Sequence, residues 1–417
     1  MDREQDSTNG RPAIWAVGGG KGGTGKSLVA ASLGIHLAEM GRRVTLVDGD
    51  LGAPNLHTFL GLDPSGVCLT DVVKRNVDSL EEAAVETGIP RLRLVSGARN
   101  SLDAESLKHF EKTRLLRLLT GLGADVVLLD LGAGTSLNVL DFFSIADRGV
   151  VVILPEPTSV ENCYRFVRAA FLRRLLLAGR TLGFQEAVQL VLAHRERSHP
   201  VRPLEILEEI RRVDSFAAAE IAAQIEAFQP HLVVNQVRDR EDDRIGDSIE
   251  TISDRFLGIP LRFAGSVPYD PVLVRSVKSR RPYLVEYPRS RTSEAFRAAA
   301  EMIHDPWPAK PVPAESLYPR SSAADRDRAL GPYHARDPYR ARDPYRALDL
   351  APNATHEEIL AAYVRLRPAL RSDSPALVSL DCEPERRAAL VEIEDAFRAL
   401  SRNLSTQASS GHRRAGA

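Results

Sequence analysis

Eight consecutive residues carry the densest chemistry in this 417-residue chain: Gly20, Lys21, Gly22, Gly23, Thr24, Gly25, Lys26 and Ser27. They match the spacing G-x-x-x-x-G-K-[ST] at every fixed position. Glycines at this density let the backbone curl, so that successive N–H groups converge on one point where an anion can be held. Lys26 supplies a point charge for the β- and γ-phosphates of a nucleotide, and the Ser27 hydroxyl supplies a ligand for Mg²⁺. Leu28 follows in the first turn of a helix whose N-terminus adds its positive dipole end. A second lysine, Lys21, stands five residues before Lys26 in the same loop. Lysine is scarce elsewhere: of 55 Lys+Arg, seven are lysine. A slender ammonium fits a tight glycine turn beside phosphates better than a planar guanidinium fork does.

Such a loop works only between a strand and a helix, and the sequence supplies both. Apolar, β-branched runs at 13–17, 44–47, 92–95, 126–129, 150–154, 232–235 and 261–267 are nearly continuous in hydrophobic residues. That is the pattern of parallel strands covered on both faces. The stretches between them are long enough for crossover helices. One, over 27–40, ends at Gly41, a residue suited to closing a helix. The reading is an α/β domain over 11–305 with a doubly wound, mostly parallel sheet. A helical insertion interrupts the alternation over about 164–229.

The remainder has a different character. Residues 306–343 form a proline-rich linker; the hexapeptide ARDPYR, at 335–340, repeats at 341–346 across its end, and Tyr333, Tyr339 and Tyr345 fall six residues apart. Proline at this density favours an extended tether. A small all-α module is expected over 344–405, opened by the capping box Thr355–Glu358, with a second helix near 385–400. A disordered tail is expected over 406–417.

Composition narrows the function classes. At 43% hydrophobic and 27% charged, the chain can bury a core, which excludes wholesale disorder. A net charge of −1 gives no global field for capturing nucleic acid. Cys68, Cys163 and Cys382 are far apart, which tells against a disulfide scaffold, a zinc ribbon or a cysteine-ligated cluster. The ten histidines show no metal-ligand spacing. The first ten residues carry no apolar signal region, and no apolar run approaches the length of about 18 residues needed to span a membrane. A cytoplasmic location is expected.

The form KGGTGKS resembles the deviant Walker A motif of the MinD/ParA family of P-loop ATPases, and the resemblance covers roughly 13–303. In that family the extra lysine, here Lys21, reaches across a dimer interface to the partner's ATP. The resemblance implies ATP and Mg²⁺ as cofactors and an ATP-dependent homodimer. It extends to the segment from Asp48 to Asn55, which is similar to the family's first switch. Asp48 would lie near the Mg²⁺ shell, and Asp50 would orient the attacking water. The strand ending at Asp130, followed by Leu-Gly-Ala-Gly134, resembles the Walker B strand and second switch, with Asp130 holding the metal's water ligands. Asn235 resembles the adenine-reading asparagine, and 265–270, with Pro268 and Asp270, the loop framing the base. The runs DLGAG and PEPTS look like the MinD/FlhG-like branch, whose members regulate division site or flagellar number. This implies slow, partner-stimulated hydrolysis that controls a cellular assembly, with peripheral attachment at the inner face of the plasma membrane.

The segment 345–363 and the stretch 392–400 resemble parts of a J-domain. The His-Pro-Asp tripeptide of that domain would fall at Arg371-Ser372-Asp373, where only the aspartate fits. The implied role is a degenerate docking module for an unidentified protein partner, acting with the switch surfaces. Two other functions are open to the sequence. A ParA-like DNA partition ATPase would use the basic cluster Arg275, Lys278, Arg280 and Arg281. A bacterial tyrosine autokinase would use the spaced tyrosines. The basic helical stretch 164–176 is read as covering the sheet rather than lying on a membrane.

Overall fold

Each of the seven apolar runs becomes a strand of one sheet in the computed structural model. The structure describes residues 11–63, 66–97, 109–182, 188, 206, 209–212, 215–305, 344–371, 374–377 and 383–411. The chain divides into two units, Met1–Gly246 with Ile259–Trp307, and Asp247–Gly258 with Pro308–Ala417.

The first unit holds the sheet. Its strands are β1 (Ala13–Gly18), β2 (Val44–Asp48), β3 (Ala84–Glu86), β4 (Leu92–Val95), β5 (Val126–Asp130), β6 (Arg148–Ile153), β7 (His231–Val237) and β8 (Arg262–Pro268). They lie in the order β3-β4-β2-β5-β1-β6-β7-β8. All neighbours are parallel except β3 and β4. The edge strand β3 has no counterpart in the sequence reading. It has three residues, two of them exposed, and exists by pairing with β4 rather than by any pattern of its own.

Register sets up the site. Val17 of β1 and Asp48 of β2 both stand opposite Asp130 of β5. The three strands therefore end level, and the loops that leave them converge outside their carboxyl ends, where doubly wound sheets hold ligands.

The helix Lys26–Glu39 lies close against β2. A Cβ on Gly34 would come within 3.0 Å of the Leu46 side chain, so glycine permits the approach. The helix closes at Gly41, whose φ of +91° is the left-handed C′ conformation anticipated for it. Helix Arg291–His304 joins the same core through Phe296, Ala299, Ala300 and Ile303. Under the end of β1, Phe143 and Phe166 meet edge to face at 4.8 Å. They come from helices Leu137–Ile145 and Pro157–Leu182. The second of these contains the basic stretch 164–176. Tyr164, Phe166, Val167, Ala170, Phe171 and Leu175 are buried there, the core-packing outcome. Of the insertion, the helix Ser215–Glu226 is also described.

The second unit gathers Asp247–Gly258 with helices Pro344–Ala347, His356–Ala369 and Glu383–Gly411. The capping box forms as expected: the Thr355 hydroxyl accepts from the Glu358 N–H while Glu358 accepts from the Thr355 N–H. Ile359, Leu366, Ile393 and Leu400 are buried, and Tyr363 stacks on Phe397 at 4.1 Å. Ser253–Leu257 is a π-helical turn, and Arg255 within it donates to the Ala347 carbonyl at 2.9 Å and to Asp349 at 3.2 Å. The last helix runs on to Gly411, past the module boundary expected at 405. Once a helix is nucleated, each further residue adds a bond. Between Pro384 and Gly411 the chain has neither proline nor glycine to interrupt it.

The linker 306–343, with Tyr333 and Tyr339, lies outside the described residues, as do Cys382 and the Ser372-Asp373 part of the J-like tripeptide position. Among the described residues, no helix is long and apolar enough to cross a membrane.

Candidate functional site

The loop Gly20–Ser27 joins β1 to the helix Lys26–Glu39, as its spacing requires. Gly25 caps that helix at a φ of +92°, and a Cβ there would stand 2.3 Å from the Asn235 amide nitrogen. Gly20 is pressed as closely: a Cβ would meet the Asn162 carbonyl oxygen at 2.4 Å. Gly22, Gly23 and Thr24 form the bend between them, with Thr24 buried. Leu28 packs against the core as its helix begins.

The two lysines occupy opposite environments. Lys26 is 8% exposed, and its ammonium donates to the Lys21 carbonyl at 3.2 Å. Burial lowers its pKa, opposed by the charges of Asp130 and Asp50. Lys21 points elsewhere, donating to Glu156 at 3.0 Å and to the Thr158 hydroxyl at 3.1 Å. Both partners follow β6, and sequence reasoning gave them no role, although they lie in the PEPTS run.

Three aspartates face the loop. Asp130 is 1% exposed, and neither carboxylate oxygen has a hydrogen-bond partner of ordinary geometry. Burial pushes it up to about 7, against the pull of the Ser27 hydroxyl and the Lys26 charge. A buried, unsatisfied carboxylate beside a hydroxyl is a donor set that fits a hydrated Mg²⁺. Asp48 stands beside it in register, and burial, with Asp130 adding to it, raises Asp48 to about 8. Its oxygens accept from the backbone N–H groups of Asp50, Asn55 and Leu56, so it also shapes the turn after β2. Asp50 accepts from the N–H groups of Gly52 and Ala53. A Cβ on Gly132 would lie 3.3 Å from it, which brings the turns after β2 and β5 together. Those turns are tied to the loop by Gly134 N–H donating to the Gly19 carbonyl at 3.1 Å.

The two C-terminal strands supply the remaining site residues. The Asn235 amide is 2% exposed and donates to the Thr24 carbonyl at 2.9 Å, bracing the phosphate loop. Pro268 ends β8 opposite Val237. The Asp270 carboxylate is bonded to its own loop and to neighbouring hydroxyls. One of its oxygens accepts from the Val272 N–H at 2.7 Å, and the other accepts from the Tyr283 and Thr292 hydroxyls. It caps the helix Pro271–Lys278.

The model of the CobQ/CobB/MinD/ParA nucleotide-binding domain matches residues 15–283, well over half of the chain and every loop just described. The chain belongs to this family. It is 26% identical to the antiactivator FleN of Pseudomonas aeruginosa over 297 residues, covering 71% of this chain and 87% of FleN. It is also 26% identical to the septum site-determining protein MinD of Thermotoga maritima, covering 60% of this chain and 90% of that protein. An uncharacterized ATP-binding protein of Methanocaldococcus jannaschii is 32% identical, with 56% of its length covered. The chain thus spans about half the length of several of the curated relatives it matches. Among solved structures, MinD of Pyrococcus horikoshii complexed with Mg-ADP is similar at 22% identity and a TM-score of 0.47, over 70% of this chain and 96% of that one.

Proposed function

We propose that this protein is an ATP-dependent dimerising switch. It hydrolyses ATP to ADP and phosphate and regulates the position or number of a cellular assembly of the division-site, flagellar or polar-organelle type. The observation that carries the reading is the pair of lysines in one loop, Lys26 buried at its base and Lys21 outside on an exposed ion pair with Glu156. One loop needs one lysine to hold its own nucleotide; a second, accessible one is available to a partner's.

The roles follow from placement. Gly20, Gly22, Gly23, Thr24 and Gly25 present backbone to the phosphates, and Lys26 neutralises them. Ser27 and Asp130, with Asp48 behind them, would hold Mg²⁺, which when bound neutralises charge on the phosphates. Asp50 orients the attacking water, and Lys21 stabilises the charge that develops on the transferring group of the second subunit. Loop rearrangement on hydrolysis changes the surface offered to a protein partner, with the C-terminal helices as a further docking module. The location proposed is cytoplasmic, with peripheral attachment to the inner face of the plasma membrane. The DNA-partition reading is weaker, because Arg280 pairs with Asp63 and Arg281 with Glu286.

The test is ATP turnover by the Asp50→Ala variant. It should bind ATP and accumulate as ATP-loaded dimers, with hydrolysis falling at least tenfold. Turnover at the wild-type rate would remove Asp50 from the chemistry.

A further inference from the structure

The near-neutral total of the chain hides one strongly basic stretch. Residues 271–291 carry six cations, Arg275, Lys278, Arg280, Arg281, Arg289 and Arg291, against one carboxylate, Glu286, a formal +5 within a chain of −1. They form the helix Pro271–Lys278, the short helix Tyr283–Glu286 and the turn that follows. The carboxylate is already engaged. The Ser276 hydroxyl donates to it at 3.2 Å and Arg281 at 3.1 Å, which ties the two helices side by side. Arg280 is paired with Asp63. Arg275, Lys278, Arg289 and Arg291 are exposed and have no ion-pair partner among the described residues. Between these cations stand apolar side chains that the fold leaves in solvent: Val274 is 42% exposed, Val285 55% and Tyr287 43%. The inward side of the same helices is anchored. Tyr283 and Leu284 belong to the core, and Val272 and Leu273 pack against it. Tyr287 is held as well, its ring 5.2 Å from that of Tyr283 and its carbonyl accepting from the Ser293 hydroxyl at 2.7 Å.

We propose that this surface, with Val274, Arg275, Lys278, Val285, Tyr287 and Arg289, is where the protein rests on an anionic lipid bilayer. The unpaired cations set the sign of the partner, and the apolar side chains set its kind. Nucleic-acid phosphates are met by cations alone. Valines and a tyrosine projecting among cations gain by entering the boundary between headgroups and acyl chains, where aromatic rings with a polar tip also settle. The cations then face the headgroup phosphates, each adding to the attraction of the negative surface. The proposal names the surface behind the peripheral attachment proposed above, and it rests on that reading.

The experiment is co-sedimentation of the full chain, with MgATP, on two kinds of vesicle: phosphatidylcholine alone, and equal parts of phosphatidylcholine and phosphatidylglycerol. Binding to a fluorescent DNA duplex is measured beside it. Wild type should bind the anionic vesicles, and less so in high salt. Arg275→Gln with Lys278→Gln should lower the partition coefficient about 25-fold, about fivefold for each cation removed. Val274→Ser with Val285→Ser should lower it about threefold or more and keep the salt dependence of wild type. Both double variants should bind MgATP as wild type does by calorimetry, which shows that the fold is intact. Unchanged vesicle binding in either double variant would overturn the surface, as would capture of the duplex in preference to anionic vesicles. A wild-type chain that ignores anionic vesicles would instead overturn the attachment reading on which the proposal rests.

Discussion

Lys26 and Lys21 show how differently one residue type behaves five positions apart. Lys26 is buried and borrows a backbone carbonyl. Truncating a buried charge removes both its contact and its compensation, at several kcal/mol. Lys26→Ala should therefore weaken MgATP on the order of 100-fold by calorimetry; a loss below threefold would contradict its role. Lys21 is held by an exposed pair, worth about 1 kcal/mol or less. Glu156→Gln should free it and lower the ATP concentration needed for dimerisation by up to about fivefold, as read by titration in a sedimentation experiment. An increase in that concentration would show that Glu156 supports the dimer instead. Both lysines were legible in the sequence because the motif is local. Glu156 was not, because it meets Lys21 across 135 positions and only the fold brings it there. The commitments of Asp270 were hidden for a related reason: its partners Tyr283 and Thr292 come from later turns.

At the scale of elements, strands buried on both faces announced themselves, whereas β3 and the π-helical turn at Ser253–Leu257 left no periodicity to read. The strand β7 carries a testable cost. His231 at its start is fully buried, and burial, with Arg148 and Arg262 adding to it, lowers its pKa from 6.5 to about 3. Between those values the unfolded chain binds a proton that the folded chain does not, so stability falls as pH drops below 6.5. The loss at pH 5 is about 2 kcal/mol. Urea midpoints at pH 7 and pH 5 should differ less in His231→Leu than in wild type. An equal difference would mean that this histidine is not the acid-sensitive group.

The whole molecule divides into two units, and the sequence marked most of the second by a change of composition after 305. What composition did not mark is that Asp247–Gly258, in the midst of the ATPase sequence, belongs with the C-terminal helices. Deleting 344–417 should raise amide hydrogen exchange in Ser253–Leu257 at least tenfold and leave β1 and β5 unchanged. Unchanged exchange in the turn would contradict that grouping. The central claim, a switch that dimerises on ATP through Lys21, is tested most directly by light-scattering mass with MgATP and with MgADP, for wild type and Lys21→Ala. The account predicts that wild type passes from one chain to two with MgATP alone, while Lys21→Ala binds MgATP and stays a single chain. A Lys21→Ala variant that dimerises like wild type, or a wild-type chain that stays single with MgATP bound, would contradict it.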